Sequence, residues 1–312
     1  MRRIVDKILY CLLYEILFLI ALLPFRVLYL FSDLLYFLVA HIIRYRRKVV
    51  FKNLSTSFPE KSKEDVIIIQ KRFYHWFCDY IVETIKLMTM TERQLRKRMR
   101  FEGMEEFNKV LDSGQSCALY LGHYCNWEWI SSVPLWLPNG VQSCQLYHPL
   151  ENKIFNKLFK SLRERQNSLC IPMKLSLRCI LEFKKSNKSI AVGYIADQAP
   201  MWNNIHHWLN FLHHDTPVFT GAERIIKHTN QICFYGDMRR IKRGYYVCKM
   251  IPMTYISSKD TNWELTDKYY KLLEKTIKRQ PELWLWSHNR WKRTRKEYNR
   301  LMSSGLYPNK IK

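Results

Sequence analysis

Carboxylates are scarce in this chain. Its 312 residues carry 27 Asp and Glu against 51 Lys and Arg, a formal net charge of +24. So much uncompensated charge argues against a surface without polyanionic partners and favours phosphate-bearing lipids, acidic carrier proteins or nucleic acid. The nine cysteines form no C-x-x-C pair and no regular framework. Cys11, Cys78, Cys117, Cys144, Cys179 and Cys233 lie in apolar or amphipathic stretches, which fits reduced cytosolic core thiols rather than disulfides. No small-residue cleavage site follows the first apolar segment, so a cleavable signal peptide is not expected. No internal repeat or low-complexity linker divides the chain, and no recognisable nucleic-acid-binding motif accompanies the basic charge.

Aromatic residues are abundant instead, at 14% with ten tryptophans. Trp and Tyr beside Lys and Arg suit a protein resting at a bilayer interface. Residues 4–43 form the membrane-type segment. Ile8 to Leu23 is almost wholly apolar apart from Glu15; Pro24 follows, then a second run from Phe25 to Ile43 carrying Arg26, Asp33 and His41. Neither half is a clean span of about 20 apolar residues. A kinked helix, a helical hairpin, an interfacial anchor and a buried core hairpin all satisfy the pattern. Arg44, Arg46, Arg47 and Lys48 follow directly, on the cytoplasmic side by the positive-inside tendency. The expected division is an anchor with its basic flank at 1–48 and a catalytic domain at 49–312.

After Phe58-Pro59-Glu60, residues 63–90 read as an amphipathic helix with Val66, Ile69, Phe73, Phe77, Tyr80 and Ile81 at three- and four-residue steps. Arg93 to Arg100 is a basic run, a solvated face or a headgroup contact. Strands are expected at 116–121, 141–146, 189–194, 231–236 and 244–250. Helices are expected at 127–136, 151–165, 174–185, 219–229 and 260–280. This alternation predicts an α/β fold with a mainly parallel central sheet flanked by helices.

The stretch Gly122-His123-Tyr124-Cys125-Asn126-Trp127-Glu128-Trp129 follows a buried-strand pattern. A histidine there sits where open α/β sheets place reactive groups. Asn126 is a good N-cap for a helix opened by the next three residues. With His123 in the loop and Glu128 just inside the helix, the carboxylate can fold back to the imidazole, fix its tautomer and stabilise the imidazolium. That makes a base for activating a hydroxyl; the plainer alternative is a polar strand end before a capped helix. Asp197 and Gln198 leave a second strand through a polar turn, on the sheet edge expected for His123; taken alone, Asp197 reads more simply as a turn aspartate before a proline. Thr216 to Glu223 opens a helix with small residues and a hydroxyl, suited to capping or to an anion. His206, His207, His213, His214 and Asp215 lack zinc-site spacing, and no metal is expected. At the close, Trp284-Leu285-Trp286-Ser287-His288-Asn289-Arg290-Trp291-Lys292 passes from an apolar strand into a basic turn, where Arg290 and Lys292 suit phosphate oxygens.

Together these pieces resemble the lipid A biosynthesis acyltransferase family, the late acyltransferases of lipopolysaccharide assembly, from about Arg46 to Lys292. The centre of the resemblance is an H-x4-D/E motif, here His123 to Glu128. Asn53-Leu54 with Phe58-Pro59-Glu60, Ala196-Asp197-Gln198 with Pro200, and Trp286 to Lys292 support it in the right order. Two positions depart: Tyr147-His148-Pro149 stands where the family often has an arginine, and Asn289 interrupts a His-Arg-Arg close.

The resemblance implies a glycerolipid-acyltransferase-like fold and transfer of an acyl chain from an acyl carrier protein thioester to a hydroxyl of a lipid A precursor. The place implied is the cytoplasmic face of a bacterial inner membrane. His123 would be the general base and Glu128 its orienting partner, with no cofactor beyond the thioester. His148, Asp197, Gln198, Arg290 and Lys292 are the expected substrate contacts. The partners implied are acyl carrier protein, an anionic lipid and the membrane, not nucleic acid. An enzyme of the same fold acting on a lysophospholipid, aminolipid or glycolipid shares every one of these features. A basic membrane-bound scaffold with a degenerate site shares the charge and the anchor.

Overall fold

The computed structural model describes residues 2–254 and 262–304. The chain opens with α1 (Arg2–Leu22), α2 (Phe25–Phe37), α3 (Arg47–Ser57), α4 (Lys63–Lys86) and α5 (Glu92–Arg98). Then β1 (Met99–Glu102), α6 (Met104–Asp112), β2 (Cys117–Leu121), a 3-10 segment (Trp127–Trp136) and β3 (Gln142–Tyr147) follow. Next come α7 (Lys153–Glu164), β4 (Ser168–Pro172), α8 (Ser176–Lys185) and β5 (Ile190–Ile195). The last third holds β6 (His207–Phe211), β7 (His214–Val218), α9 (Gly221–Thr229), β8 (Ile232–Lys242), β9 (Tyr245–Met253), α10 (Glu264–Arg279) and α11 (Arg295–Ser303). Residues 260 and 261 of the last expected helix lie outside the described residues.

Seven strands form one sheet in the order β1-β9-β8-β2-β5-β3-β4. Every pairing is parallel except β8 with β9, so the fold is α/β with a mostly parallel sheet flanked by helices. All five residues of β2 are buried, as its continuous apolar run requires of a central strand covered on both faces. The β8–β9 hairpin is longer than the sequence pattern indicates, because its polar outer end, Met238 to Lys242, still pairs. The basic run 93–100 divides into α5 and β1. Thr91 and Gln94 close a capping box at the start of α5, a local signal stronger than the charge. The expected helix at 127–136 is instead 3-10. Pro134 sits inside it without an N–H, and the Ser131 and Ser132 hydroxyls donate to the carbonyls three residues back, both at 2.6 Å. The expected strand at 284–286 makes only an isolated bridge, Trp284 to Tyr124. Trp286 turns back to donate its indole N–H to the Pro281 carbonyl at 2.6 Å.

Pro24 separates α1 from α2, as proline at a helix start dictates. Both helices lie against α4. The stretch Phe25–Ile42, which ends in a π-helical turn, is long and apolar enough to cross a membrane by length and composition. Its exposed residues include Leu30, Phe31, Leu34, Phe37 and Leu38, and those of α1 include Leu9, Leu12, Ile16 and Leu19. These spacings leave one apolar stripe on each helix facing away from the protein.

Polar groups at buried helix ends decide how firmly this pair is attached. Lys86, at the end of α4, donates to the carbonyls of Ala21 (2.7 Å) and Leu23 (2.9 Å), and Thr89 donates to Ala21. A cation there satisfies orphan carbonyls and opposes the negative end of the α1 dipole. Arg243, in the β8–β9 turn, joins Asp33 of α2 to Asp79 of α4, both at 2.6 Å. One turn further along α4, buried Glu83 accepts from Tyr29 (2.9 Å), Tyr246 (2.8 Å) and the Asn126 amide (2.8 Å).

Lys86→Met removes the donor to the Leu23 carbonyl and leaves Ala21 with Thr89 alone, and is expected to cost about 1.5–3 kcal/mol. Faster limited proteolysis around residues 22–25 would accompany it; unchanged cleavage and melting would show that Lys86 does not hold α1. Burial, and then the charge of Asp79, push the Glu83 carboxyl up from 4.5 to about 7 despite its three donors. Between those values the folded chain keeps a proton that the unfolded chain has released. Stability therefore declines as pH rises from about 4.5 to about 7 and is level above that. Glu83→Gln should flatten this part of the melting-temperature profile, and an unaltered profile would count against Glu83 as its source.

Candidate active site

The parallel register of β2 and β5 builds the site. Leu121 pairs with Ile195 where both strands end, and His123 and Asp197 each follow two residues later, so they leave the sheet side by side. The His123 ring Nδ1 lies 2.6 Å from Asp197 Oδ1, and the His123 backbone N–H donates to Oδ2 at 2.9 Å. Trp284 donates its indole N–H to the same Oδ2 at 2.7 Å. Burial alone would push the Asp197 carboxyl up. The charge of His123 and the three hydrogen bonds outweigh it and hold the group down at about 2. An ionised carboxylate against Nδ1 fixes the proton there and leaves the lone pair on Nε2. The imidazole is 21% exposed and Asp197 only 2%, so the ring is the accessible member of the pair and the anion lies beneath.

The loop carrying His123 is pinned on several sides. A Cβ on Gly122 would meet Leu273 at 2.7 Å and Asp197 Oδ2 at 3.5 Å, so glycine is what lets the strand end approach both. Cys125 takes a left-handed φ of 54°. Its N–H donates to the Leu283 carbonyl at 2.9 Å, and the Leu285 N–H donates to the His123 carbonyl at 3.1 Å. Asn126 caps the following turn as expected, accepting from the Trp129 N–H at 3.2 Å, while its amide reaches Glu83.

Glu128 does not make the contact expected of it. Its carboxylate faces Arg163 of α7, which donates from Nε at 2.8 Å and from Nη2 at 2.6 Å, and the Trp127 indole donates at 3.2 Å. The physical reason is burial. At 3% exposure the carboxylate needs a full counter-charge, which a planar guanidinium supplies in two-pronged form. Burial raises the Glu128 carboxyl, but Arg163 outweighs it and holds the group ionised, with His123 adding to the effect. Trp127 connects the two groups: its ring meets the His123 ring edge-on at 5.1 Å, while its N–H faces Glu128.

The remaining expected residues divide. Gln198 sits beside the base, its amide nitrogen 3.4 Å from His123 Nε2. His288 accepts from the Ala199 N–H at 3.2 Å through Nε2. Burial, with Arg290 nearby, lowers His288 to about 4, so it is neutral near pH 7. Asn53 of α3 donates to the carbonyls of Trp286 and His288, both at 2.9 Å, and Arg46 donates to that of Ser287 at 3.0 Å. The scattered motifs thus converge on one place. Arg290 is fully buried. It donates to the Pro217 carbonyl (2.8 Å) and the Tyr270 hydroxyl (3.2 Å), and Tyr270 in turn donates to the Ala196 carbonyl (2.8 Å). Its Nε and Nη1 have no partner among the described residues. Lys292 and His148 are exposed. The β3–β5 register, Gln145 opposite Gly193, brings His148 to the same sheet edge as Asp197.

The clustered histidines are engaged separately. His207 faces Asp267 at 2.7 Å, His214 stacks on Trp291 at 4.0 Å, and Asp215 pairs with Arg295 at 2.6 Å. Among the described residues no group of three or more His, Cys, Asp or Glu side chains is placed to hold a metal. At the start of α9, Glu223 accepts from Thr266 and pairs with Lys227 at 2.9 Å. Sequence reasoning did not single out Arg163; the available signal was that a buried Glu128 demands a cation.

With this geometry in place, the comparisons decide the family. The model of the bacterial lipid A biosynthesis acyltransferases matches residues 2–293. The chain belongs to that family. No curated protein matches it. Arg163 and Glu128 give this chain a readable buried pair. Arg163→Met should destabilise it by about 3–5 kcal/mol, because Glu128 is left buried and unpaired. Adding Glu128→Gln to that variant should recover most of the loss in denaturant unfolding. Wild-type stability in the single variant would overturn the pairing.

Proposed function

We propose that the chain transfers an acyl group from an acyl carrier protein thioester to a hydroxyl of a lipid A precursor, with His123 as general base. The observation that carries this reading is the His123 ring itself. Its Nδ1 lies against a buried, ionised Asp197 while the ring itself stays partly exposed with Nε2 beside the Gln198 amide, in a member of an acyltransferase family.

The acceptor hydroxyl gives its proton to Nε2 as its oxygen attacks the thioester carbonyl carbon. Asp197 stabilises the resulting imidazolium through Nδ1–H. The Gln198 amide, beside Nε2, is a donor available to the tetrahedral oxyanion. Collapse breaks the C–S bond, and the departing thiolate takes the proton back from Nε2. No covalent acyl-enzyme and no further cofactor enter these steps. Glu128 acts as a positioning residue, holding Arg163 and Trp127 behind the imidazole.

The basic surface has two targets in this reading, the phosphates of a lipid disaccharide and the acidic face of a carrier protein. The exposed apolar stripes of α1 and α2 support membrane attachment through residues 1–48, with 49–312 as the catalytic part. The basic residues 44–48 support placement on the cytoplasmic face of the inner membrane. His148 and Lys292, both exposed, remain proposed acceptor contacts; Arg290, fully buried against Pro217 and Tyr270, is not placed to touch an acceptor and supports the site from beneath.

The test is acyl transfer by the full chain in detergent, with acyl carrier protein thioester as donor and product masses as readout. His123→Ala and Asp197→Asn should each reduce turnover by about 10²–10⁴-fold. Wild-type turnover in His123→Ala would sink the catalytic assignment. Product formed only when a lysophospholipid or other glycolipid replaces the lipid A precursor would keep the base and change the acceptor.

A further inference from the structure

A concave site that His123 does not line lies between α5, β1 and the outer end of the β8–β9 hairpin. It is a cleft of about 450 Å³ lined by Lys97, Arg98, Arg100, Ile241, Lys242 and Tyr245 with buried Tyr246, within the volume range of small-ligand pockets, about 300–1,000 Å³. Four of its walls are cations. Among the described residues none of the four pairs with a carboxylate, although Arg239, Arg240 and Arg243 of the same hairpin all do.

Arg98 is held in place before any ligand arrives. Its guanidinium lies 3.5 Å from the centre of the Phe25 ring and 4.5 Å from that of Tyr245, and Nη1 donates to the Gly244 carbonyl at 3.0 Å. Gly244 makes this approach possible: its φ is +72°, and a Cβ there would fall 2.9 Å from Arg98 Nη1. A planar cation fixed at two faces and one edge keeps its other N–H groups for an anion at little ordering cost.

The cleft also has a defined place relative to the apolar helices. Phe25 is the first residue of α2, and Arg243 ties the hairpin turn to Tyr29 and Asp33 on the next turn. Leu30 and Phe31, both exposed, come directly after. Ile241, 56% exposed, projects from the hairpin beside Lys242, so the rim itself joins an apolar side chain to a cation as interfacial segments do.

We propose that this cleft seats the phosphate of an anionic phospholipid headgroup in the bilayer that the exposed faces of α1 and α2 enter. The proposal rests on membrane attachment through those helices, not on the acyl-transfer chemistry. Phosphate supplies the multidentate anion that four unpaired cations require. A neighbouring apolar stripe and an exposed isoleucine favour a lipid surface over the acidic helix of a carrier protein.

The experiment is flotation of the full chain with vesicles of phosphatidylcholine alone and of phosphatidylcholine mixed with phosphatidylglycerol. The variants are Lys97→Glu/Arg100→Glu/Lys242→Glu and the milder Lys97→Gln/Lys242→Gln, with circular dichroism and turnover on detergent-dispersed acceptor as controls for folding. Wild type should prefer the anionic vesicles, steeply less so as salt rises. The triple variant should lose roughly 10²-fold of that preference, and the double variant a smaller part, while binding to neutral vesicles stays as in wild type. Equal partition of wild type and both variants onto anionic vesicles overturns the site. Wild type that binds neither vesicle overturns the attachment beneath it. Two results reassign the cleft and so overturn the proposal: loss confined to acyl carrier protein binding, and stabilisation of wild type alone by inorganic phosphate with unchanged vesicle partition.

Discussion

The site depends on one register. Because β2 and β5 are parallel neighbours paired at Leu121 and Ile195, the first polar side chains beyond the two strands meet at a distance set by strand spacing, about 4.8 Å. A one-residue slip would turn either residue to the other face, and Nδ1 of His123 would lose its carboxylate. Both faces of these strands are covered, so a slip would misfit the side chains packed on each face along their length. The packing of the sheet and the placing of His123 are therefore one constraint.

Three buried carboxylates around this register show how neighbours decide what a carboxylate does. Asp197 has a histidine ring and two further N–H donors and is driven toward the anion. Glu128 has a guanidinium and is held ionised. Glu83 has only neutral donors and Asp79 close by, and it is pushed toward the acid. Desolvation acts against the charge in all three, and the partner determines the outcome. Glu83 also joins remote parts of the chain, binding Tyr29 of α2, Tyr246 of β9 and the Asn126 cap through one carboxyl group. Apolar α2 is thus hydrogen-bonded, through Glu83, to the turn that follows His123.

Much of this was legible in the chain. Strand–helix alternation carried the fold class, and the ends of the 116–121 and 189–194 runs carried His123 and Asp197 to one sheet edge. Their pairing was not legible, because strand order is a property of crossovers and not of any local pattern. The H-x4-E spacing drew attention to Glu128 as the partner, and the spacing alone cannot show that a helix from residues 153–164 brings Arg163 to the same carboxylate. Arg163 stands among Lys157, Lys160 and Arg165 with no local mark. Short edge strands such as β1 and β4 were missed for a related reason: four or five residues hold too few alternations to declare a period.

Glu128 nevertheless keeps a relation to His123. Its carboxylate binds the Trp127 indole N–H, and the indole ring lies edge-on to the imidazole. A rotation of Trp127 would break that hydrogen bond in a buried place where water cannot replace it. The ring is therefore fixed, and with it one wall beside His123. Asp197 fixes the proton and Glu128 fixes the wall, which explains why a carboxylate five residues from the histidine is useful without touching it. The same arrangement gives the Arg163 guanidinium its carboxylate partner, so the charge that Glu128 carries into the interior beside that wall is compensated and the wall stays in place.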